Sequence, residues 1–203
     1  MVNPGMWTQV YPFWVQDAEK ADVAYNGIYT YDLCKRMGWL FSYIDVSGLD
    51  IQSVLHDALQ TDYRRYIELG HPHYVSGCTM AEFAKYILID RLYLQLKNTE
   101  QASTISDAYW SGWYITMFQW MYNILWDDIE RYCKVDMVRD RIFPVGHTMN
   151  DTRIFEAFIL RINEAGYKRE FKDPLERIKE LNRISDETEE RVKKEFEAEE
   201  SKD

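Results

Sequence analysis

The sequence predicts an all-α fold: one compact helical domain of about seven helices, with a charged helical extension at its C-terminal end. Three observations lead there. Strand signals are almost absent, apolar residues recur at helical spacing between capping residues, and one segment is apolar nearly all round. That segment, YWSGWYITMFQWMYNILW from Tyr109 to Trp126, has eight aromatic residues in eighteen and no Pro. Apolar positions fall at Trp110, Trp113, Tyr114, Met117, Trp120, Met121 and Ile124, with Tyr109, Phe118 and Tyr122 on the opposite side. A helix of this kind normally runs through the centre of a domain. Its single glycine, Gly112, sits where a neighbouring helix can approach closely.

The elements follow in order along the chain. Asp17 starts a first helix through Ala24. A second runs from about Tyr29 to Ile44, with Leu33, Met37, Leu40, Phe41 and Ile44 on one side and Gly48 in the following turn. Asp50 is a good N-cap for a third, whose stripe is Ile51, Val54, Leu55, Ala58, Leu59, Tyr66 and Leu69; Gly70 and Pro72 close it. Thr79 and Glu82 form a capping box for a fourth, through Leu96, and Asn98 to Ser106 is a polar loop. The aromatic helix starts near Ser106 or Asp107, and a weak point at Asn123 separates it from a short helix, Trp126 to Cys133. Another short helix covers Val135 to Ile142 and is stopped by Pro144. Asp151 caps a helix ending at Gly166, with Phe155, Phe158, Ile159 and Ile162 as its core face.

The composition changes near Glu170, dividing the chain into a helical domain, 1–169, and a charged extension, 170–203. The excess of acidic over basic side chains in the extension accounts for half of the formal charge of −10. Asp173-Pro174 is a proper helix start, and Leu175, Ile178, Leu181, Ile184, Val192 and Phe196 are the few apolar residues after it. Two readings stand for this tail: a solvated helix held by i,i+4 ion pairs, or a helix whose thin stripe docks on a partner.

With 46% hydrophobic and 15% aromatic residues, the core is expected to be built largely from Trp, Tyr and Phe. The negative charge argues against direct binding to nucleic-acid backbones or to anionic membranes. It suits a basic partner, including the cationic groove of a toxin or nuclease. Cys34, Cys78 and Cys133 are odd in number and without a CxxC pair, so they read as buried free thiols in a reducing compartment. The segment MVNPGMWTQVYPFWVQ has no basic start and contains Pro4 and Pro12, so no secretory signal is expected. No apolar stretch has membrane-spanning length without polar breaks, and a cytoplasmic location is expected.

Signals for chemistry are sparse. His71, His73 and Cys78 are the one cluster resembling metal ligands, but a zinc site wants a second pair, and a surface turn is the plainer reading. Arg65 and His71 resemble the loosely spaced Arg and His of HEPN ribonucleases, which implies an RNA-cleaving alternative; Gly70 before His71 and Tyr66 after Arg65 depart from that pattern. Asp127, Asp128 and Glu130 gather at a helix start, where the dipole favours acids. No P-loop, GxGxxG, HExxH or G-x-S-x-G occurs, so no catalytic residue, metal or cofactor is assigned.

The middle of the chain resembles a family of uncharacterised bacterial proteins. His73-Tyr74-Val75-Ser76-Gly77 and Ala81-Glu82-Phe83-Ala84 are similar to its "KYVSG…ELA" stretch. Tyr109-Trp110-Ser111-Gly112-Trp113, Gln119-Trp120 and Asp128-Ile129 resemble its "YWAGWxLAYYQWY…I" segment. Pro144, His147 and Asp151 to Phe155 resemble "YPTLHEADxxKF", so the likeness spans about Tyr74 to Ile162. Members are often encoded beside predicted ADP-ribosyltransferase-type toxins, which implies an antitoxin-like role.

The resulting expectation is a non-enzymatic, acidic intracellular protein that neutralises a partner. A helix apolar on every side leaves surplus aromatics for an interface, where Trp and Tyr are favoured anchors. The partner-binding candidates are Trp110, Trp113 and Trp126, the acids Asp127, Asp128 and Glu130, and Val192 and Phe196 of the tail. Alternatives are a phage-type anti-defence inhibitor resembling anti-CRISPR proteins, the HEPN-like ribonuclease, and a homo-oligomer assembled through the aromatic face.

Overall fold

A computed structural model describes residues 27–61, 64, 67, 73–80, 82–86, 99–171, 190 and 193–194. The expected helix from Asp17, the Gly70-Pro72 stop, the stretch towards Leu96 and, apart from 190 and 193–194, the tail from Pro174 with its Val192 and Phe196 lie outside the described residues. Among the described residues the secondary structure is helical, and no strand occurs.

Helix α1, Gly27–Val46, buries Leu33, Met37, Leu40, Phe41 and Ile44, the stripe read from its spacing. Helix α2, Ile51–Leu59, starts where Asp50 accepts a hydrogen bond from the Ser53 amide at 2.8 Å. The Ser53 hydroxyl bond, then the amide bond, lower the Asp50 carboxyl pKa below its usual value. A continuous helix to Leu69 was expected; α2 ends at Leu59 instead. The cause is Thr61, whose amide and hydroxyl both donate to the Ala58 carbonyl, at 3.1 and 2.6 Å. Taking that carbonyl three residues back tightens the chain out of the α-helical ladder.

A π-turn, His73–Gly77, follows, and Thr79 and Glu82 form the capping box reciprocally: Thr79 N–H donates to Glu82 Oε2 at 2.9 Å, and Glu82 N–H to Thr79 Oγ1 at 3.2 Å. The expected polar loop before the aromatic helix holds one 3₁₀ turn, Thr99–Gln101. Ser42, fully buried in α1, accepts the Ser103 amide at 3.0 Å and anchors this loop. Ser106 then caps helix α3, Asp107–Met121, by accepting the Tyr109 amide at 3.0 Å.

Helix α3 packs against α1, as a central helix should, but the face in closest contact is not the aromatic one. Ala108, Ser111, Gly112, Ile115, Thr116 and Gln119, spaced three and four apart, are buried. A Cβ on Gly112 would lie 2.5 Å from the Met37 carbonyl oxygen of α1, so the two backbones meet there. Two of the buried polar side chains are satisfied locally: Thr116 Oγ1 donates to the Gly112 carbonyl at 2.8 Å, and Gln119 Nε2 to the Ile124 carbonyl at 2.9 Å; the Ser111 hydroxyl is buried without a hydrogen-bond partner. Packing backbone to backbone leaves the large rings to the flanks. Phe118 enters the interior against Phe158, while Trp110, Trp113, Tyr114 and Met117 are only half-buried.

Helix α3 ends at the expected weak point. Asn123 adopts φ +53°, its amide bonds Trp120 O, and the Ile124 amide bonds Gln119 O. This is the Schellman pattern, repeated after α1 at Gly48 and near the end of the described domain at Gly166. At Asn123 a side chain occupies the position that Gly fills at the other two, and both its amide atoms are buried without a hydrogen-bond partner. Asn123→Gly is therefore expected to raise stability by about 1 kcal/mol, read as a higher urea midpoint at unchanged m-value. A lower midpoint would refute this account of the turn.

Helix α4, Trp126–Tyr132, runs back beside α2, and Cys133 caps its end. From Val135 the chain stays helical past the proline expected to stop it. Helix α5, Val135–Met137, leads into a second π-turn, Val138–Ile142, in which the Phe143 amide reaches back to Val138 O. Helix α6, Phe143–Gly146, then holds Pro144 at its second position. The widened turn makes room for the ring, and a helix start leaves that N–H unpaired in any case. Helix α7, Asp151–Glu164, is capped by Asn150 rather than Asp151, through Asn150 Oδ1 and the Arg153 amide at 3.1 Å. It buries Ile154, Phe155, Phe158 and Ile162, with Ile159 half-buried at the margin.

Candidate functional site

The acidic candidates are engaged within the fold. Asp127 pairs with Arg64, and Asp128, with only 14% of its side chain exposed, pairs with Arg169 at 3.2 Å. Glu130 meets Lys134 at 3.2 Å and His56 at 3.7 Å, and its Oε1 also accepts from Gln52. Gln52 in turn accepts the Val135 amide at 2.9 Å. These contacts tie α4 to α2 and to the segment after α7, so the triplet holds the fold together instead of presenting three free carboxylates. Trp126 also departs from its expected place at an interface. The Asn123 turn folds the chain back, and the indole enters the core on the same side as Ile129, leaving 2% of the residue exposed.

Arg139, placed by the second π-turn, does comparable work on the other side. It bonds Asp107 through Nε at 2.9 Å and Nη2 at 3.2 Å, and reaches Asp45 at 2.9 Å. Burial opposes its charge, but the hydrogen bonds and the two carboxylates outweigh this and raise its pKa. The π-turn, the end of α1 and the start of α3 are thereby clamped together, which orients α6 against α3.

That clamp sets up an aromatic face. From α1, Tyr31 stands edge-on to Trp113 of α3 at 6.3 Å. Trp113 meets Tyr114 at 4.8 Å, Tyr114 meets Trp110 at 4.3 Å, and Trp110 meets Phe143 of α6 at 5.5 Å. The Trp110 indole lies over Gly146, where a Cβ would be 3.0 Å from the ring. Asp151 fixes Tyr114 by accepting its hydroxyl proton at 2.8 Å, and burial followed by this carboxylate raises the hydroxyl pKa. His147 extends the row with its ring 5.3 Å from Phe143 and its Nδ1 against the Phe143 carbonyl at 2.9 Å. Tyr31 is 59% exposed, and Val145 and Met149 at this end of the domain are exposed as well. Rings from three elements thus lie in edge-to-face and tilted contacts that resist rearrangement.

Trp110 and Trp113 are the sequence candidates brought into this face. Tyr31 was missed, although it falls off the Leu33-Met37-Leu40 stripe of α1 and a large aromatic off the buried stripe is the available signal. Other aromatics are structural: Phe118, Phe155, Phe158, Tyr122 and Phe171 stack inside the domain. Val192 and Phe196 lie outside the described residues, as do Arg65 and His71.

His73 packs against Tyr74 and Tyr86, and Cys78 is buried with its carbonyl accepting from Arg36. Among the described residues, no three His, Cys, Asp or Glu side chains converge to hold a metal ion. Cys34, Cys78 and Cys133 are free and buried, and burial pushes each thiol pKa up, away from the reactive thiolate. No described helix is long and apolar enough to cross a membrane. No protein-family model, curated protein or solved structure matches the chain.

Proposed function

We propose that this chain is a non-enzymatic recognition protein that neutralises a partner protein in the cell, acting as an antitoxin-like inhibitor. The observation that carries the reading is the aromatic face from Tyr31 through Trp113 and Trp110 to Phe143, held rigid by Asp151 and by the Arg139 clamp. Rigid Trp and Tyr side chains with partly exposed rings lose little entropy on binding and are enriched among the residues that dominate binding energy. The charge of −10 supports a basic partner, a toxin or a nuclease, by steering its approach. The Asp127, Asp128 and Glu130 carboxylates contribute only to that long-range field, because each is already paired. The resemblance of the aromatic segment to proteins encoded beside ADP-ribosyltransferase-type toxins supports a toxin as the partner.

Affinity capture from the native host lysate at moderate salt tests this. A stoichiometric protein partner is expected, with its toxic or nucleolytic activity suppressed in the complex. Recovery of no stoichiometric partner, or of one whose activity is unchanged, overturns the reading.

A further inference from the structure

The aromatic face holds a cation of its own at the Tyr31 end. Lys35 Nζ lies 4.8 Å from the centre of the Tyr31 ring and pairs with Asp32 at 3.0 Å. A ring face and a carboxylate together thus hold an ammonium group. The same two components recur at the Trp110 end. The Trp110 and Tyr114 rings are half-buried and 4.3 Å apart, and the Tyr114 hydroxyl donates to Asp151 Oδ1 at 2.8 Å. Asp151 is exposed, and its place in the first turn of α7 favours the ionised form. Its neighbours among the acids are engaged with cations: Asp45 and Asp107 hold Arg139, and Glu156 takes Arg153 at 3.6 Å. Asp151 makes no ion pair with any of the described residues, and its one side-chain bond to another side chain is to the neutral Tyr114. A carboxylate fixed beside rings in this way complements a cation from outside the chain.

We infer that the end of the face formed by Trp110, Tyr114 and Asp151 takes an arginine side chain of the partner protein, its guanidinium lying on the rings and bonding the Asp151 carboxylate. This rests on the recognition reading and names the chemistry of the partner's anchor. Arginine fits better than lysine for two reasons. Its planar, weakly hydrated guanidinium stacks on aromatic rings, and its forked donors match a carboxylate. Asp151 Oδ1 accepts the Tyr114 proton, so Oδ2 and the second lone pair of Oδ1 receive the guanidinium. Arginine is also enriched among the residues that dominate binding energy, and the charge of −10 favours its approach.

Titration of the full-length protein with N-acetylarginine amide, followed through the tryptophan indole N–H resonances, tests this without a partner. The Trp110 signal is expected to shift, with the signal of Trp126, which lies in the core, unchanged. N-acetylcitrulline amide, neutral but nearly the same shape, and N-acetyllysine amide are expected to shift Trp110 severalfold less at equal concentration. So is N-acetylarginine amide with Asp151→Asn, which keeps an acceptor for the Tyr114 hydroxyl and removes the charge. An unmoved Trp110 signal, an equal response to either control compound, or an Asp151→Asn response equal to wild type overturns the proposal. So does a Trp110 shift on concentrating the protein alone, because it puts a second copy of the chain on the face. Should Asp151→Asn itself move the Trp126 signal, the variant has altered the core, and the comparison of the three compounds on the wild-type chain decides. A failed titration refutes the arginine site and leaves the recognition reading standing. A failed capture experiment refutes the recognition reading and leaves the titration result as measured.

Discussion

Replacing Phe118 by alanine is expected to cost about 3–5 kcal/mol of stability, the range for removing a fully buried phenylalanine. Phe118 is 0% exposed, stacks on Phe158 at 4.9 Å, and also meets Tyr122, Phe155 and Phe171. It joins α3 to α7, so the ring's removal leaves a cavity between the two helices. For a domain of this size the loss corresponds to a fall of about 10 °C in Tm. Calorimetry checks it, and a fall of no more than a degree or two would mean that α7 does not pack on α3 as described.

Gly112→Ala is expected to destabilise by about 2 kcal/mol, even though alanine is the better helix former by about 1 kcal/mol. The added methyl would stand 2.5 Å from the Met37 carbonyl oxygen and 2.9 Å from its carbon, both backbone atoms of α1, which cannot rotate away. Relief requires α1 and α3 to separate along the crossing, loosening Ile115 and Thr116 one turn further on. Urea unfolding of the variant measures this. A midpoint above wild type would show that helix propensity outweighs the close approach.

Much of the fold was legible because its boundaries are local chemistry. Asp50, the Thr79-Glu82 box, Ser106, Gly48, Asn123 and Gly166 act where the sequence places caps and turns, and the α1 stripe is buried as its spacing implies. Beyond the one-residue shift of the α7 cap from Asp151 to Asn150, two boundaries were misread for reasons that periodicity does not carry. Thr61 competes for the Ala58 carbonyl and ends α2 early, and a π-turn lets Pro144 enter a helical run. The aromatic helix taught the larger lesson. The sequence marked Gly112 as a point of close approach on a helix apolar nearly all round, but not which face would be buried; close helix packing selects small side chains, and Ser111, Gly112 and Thr116 took the buried side.

The candidate site was legible in part for the same reason. Trp110 and Trp113, named from the sequence, lie half-buried on the flank of α3, and Tyr31 and Phe143 join them only through the tertiary arrangement of α1 and α6. The pairing of the acidic triplet was not legible, because a run of carboxylates does not reveal its cations. Arg64 and Arg169 are distant in sequence and meet Asp127 and Asp128 only in the folded chain.

Under the proposed function, recognition is carried by exposed rings and not by the acidic cluster. The decisive measurement is the affinity of the captured partner for two variants side by side, Tyr31→Ala/Trp113→Ala and Asp127→Asn/Glu130→Gln. Loss of about 2 kcal/mol or more, roughly thirtyfold in Kd, is expected for the aromatic variant at unchanged helix content, with the carboxylate variant within a fewfold of wild type. An aromatic variant that binds as tightly as wild type, with the carboxylate variant failing, would contradict the account.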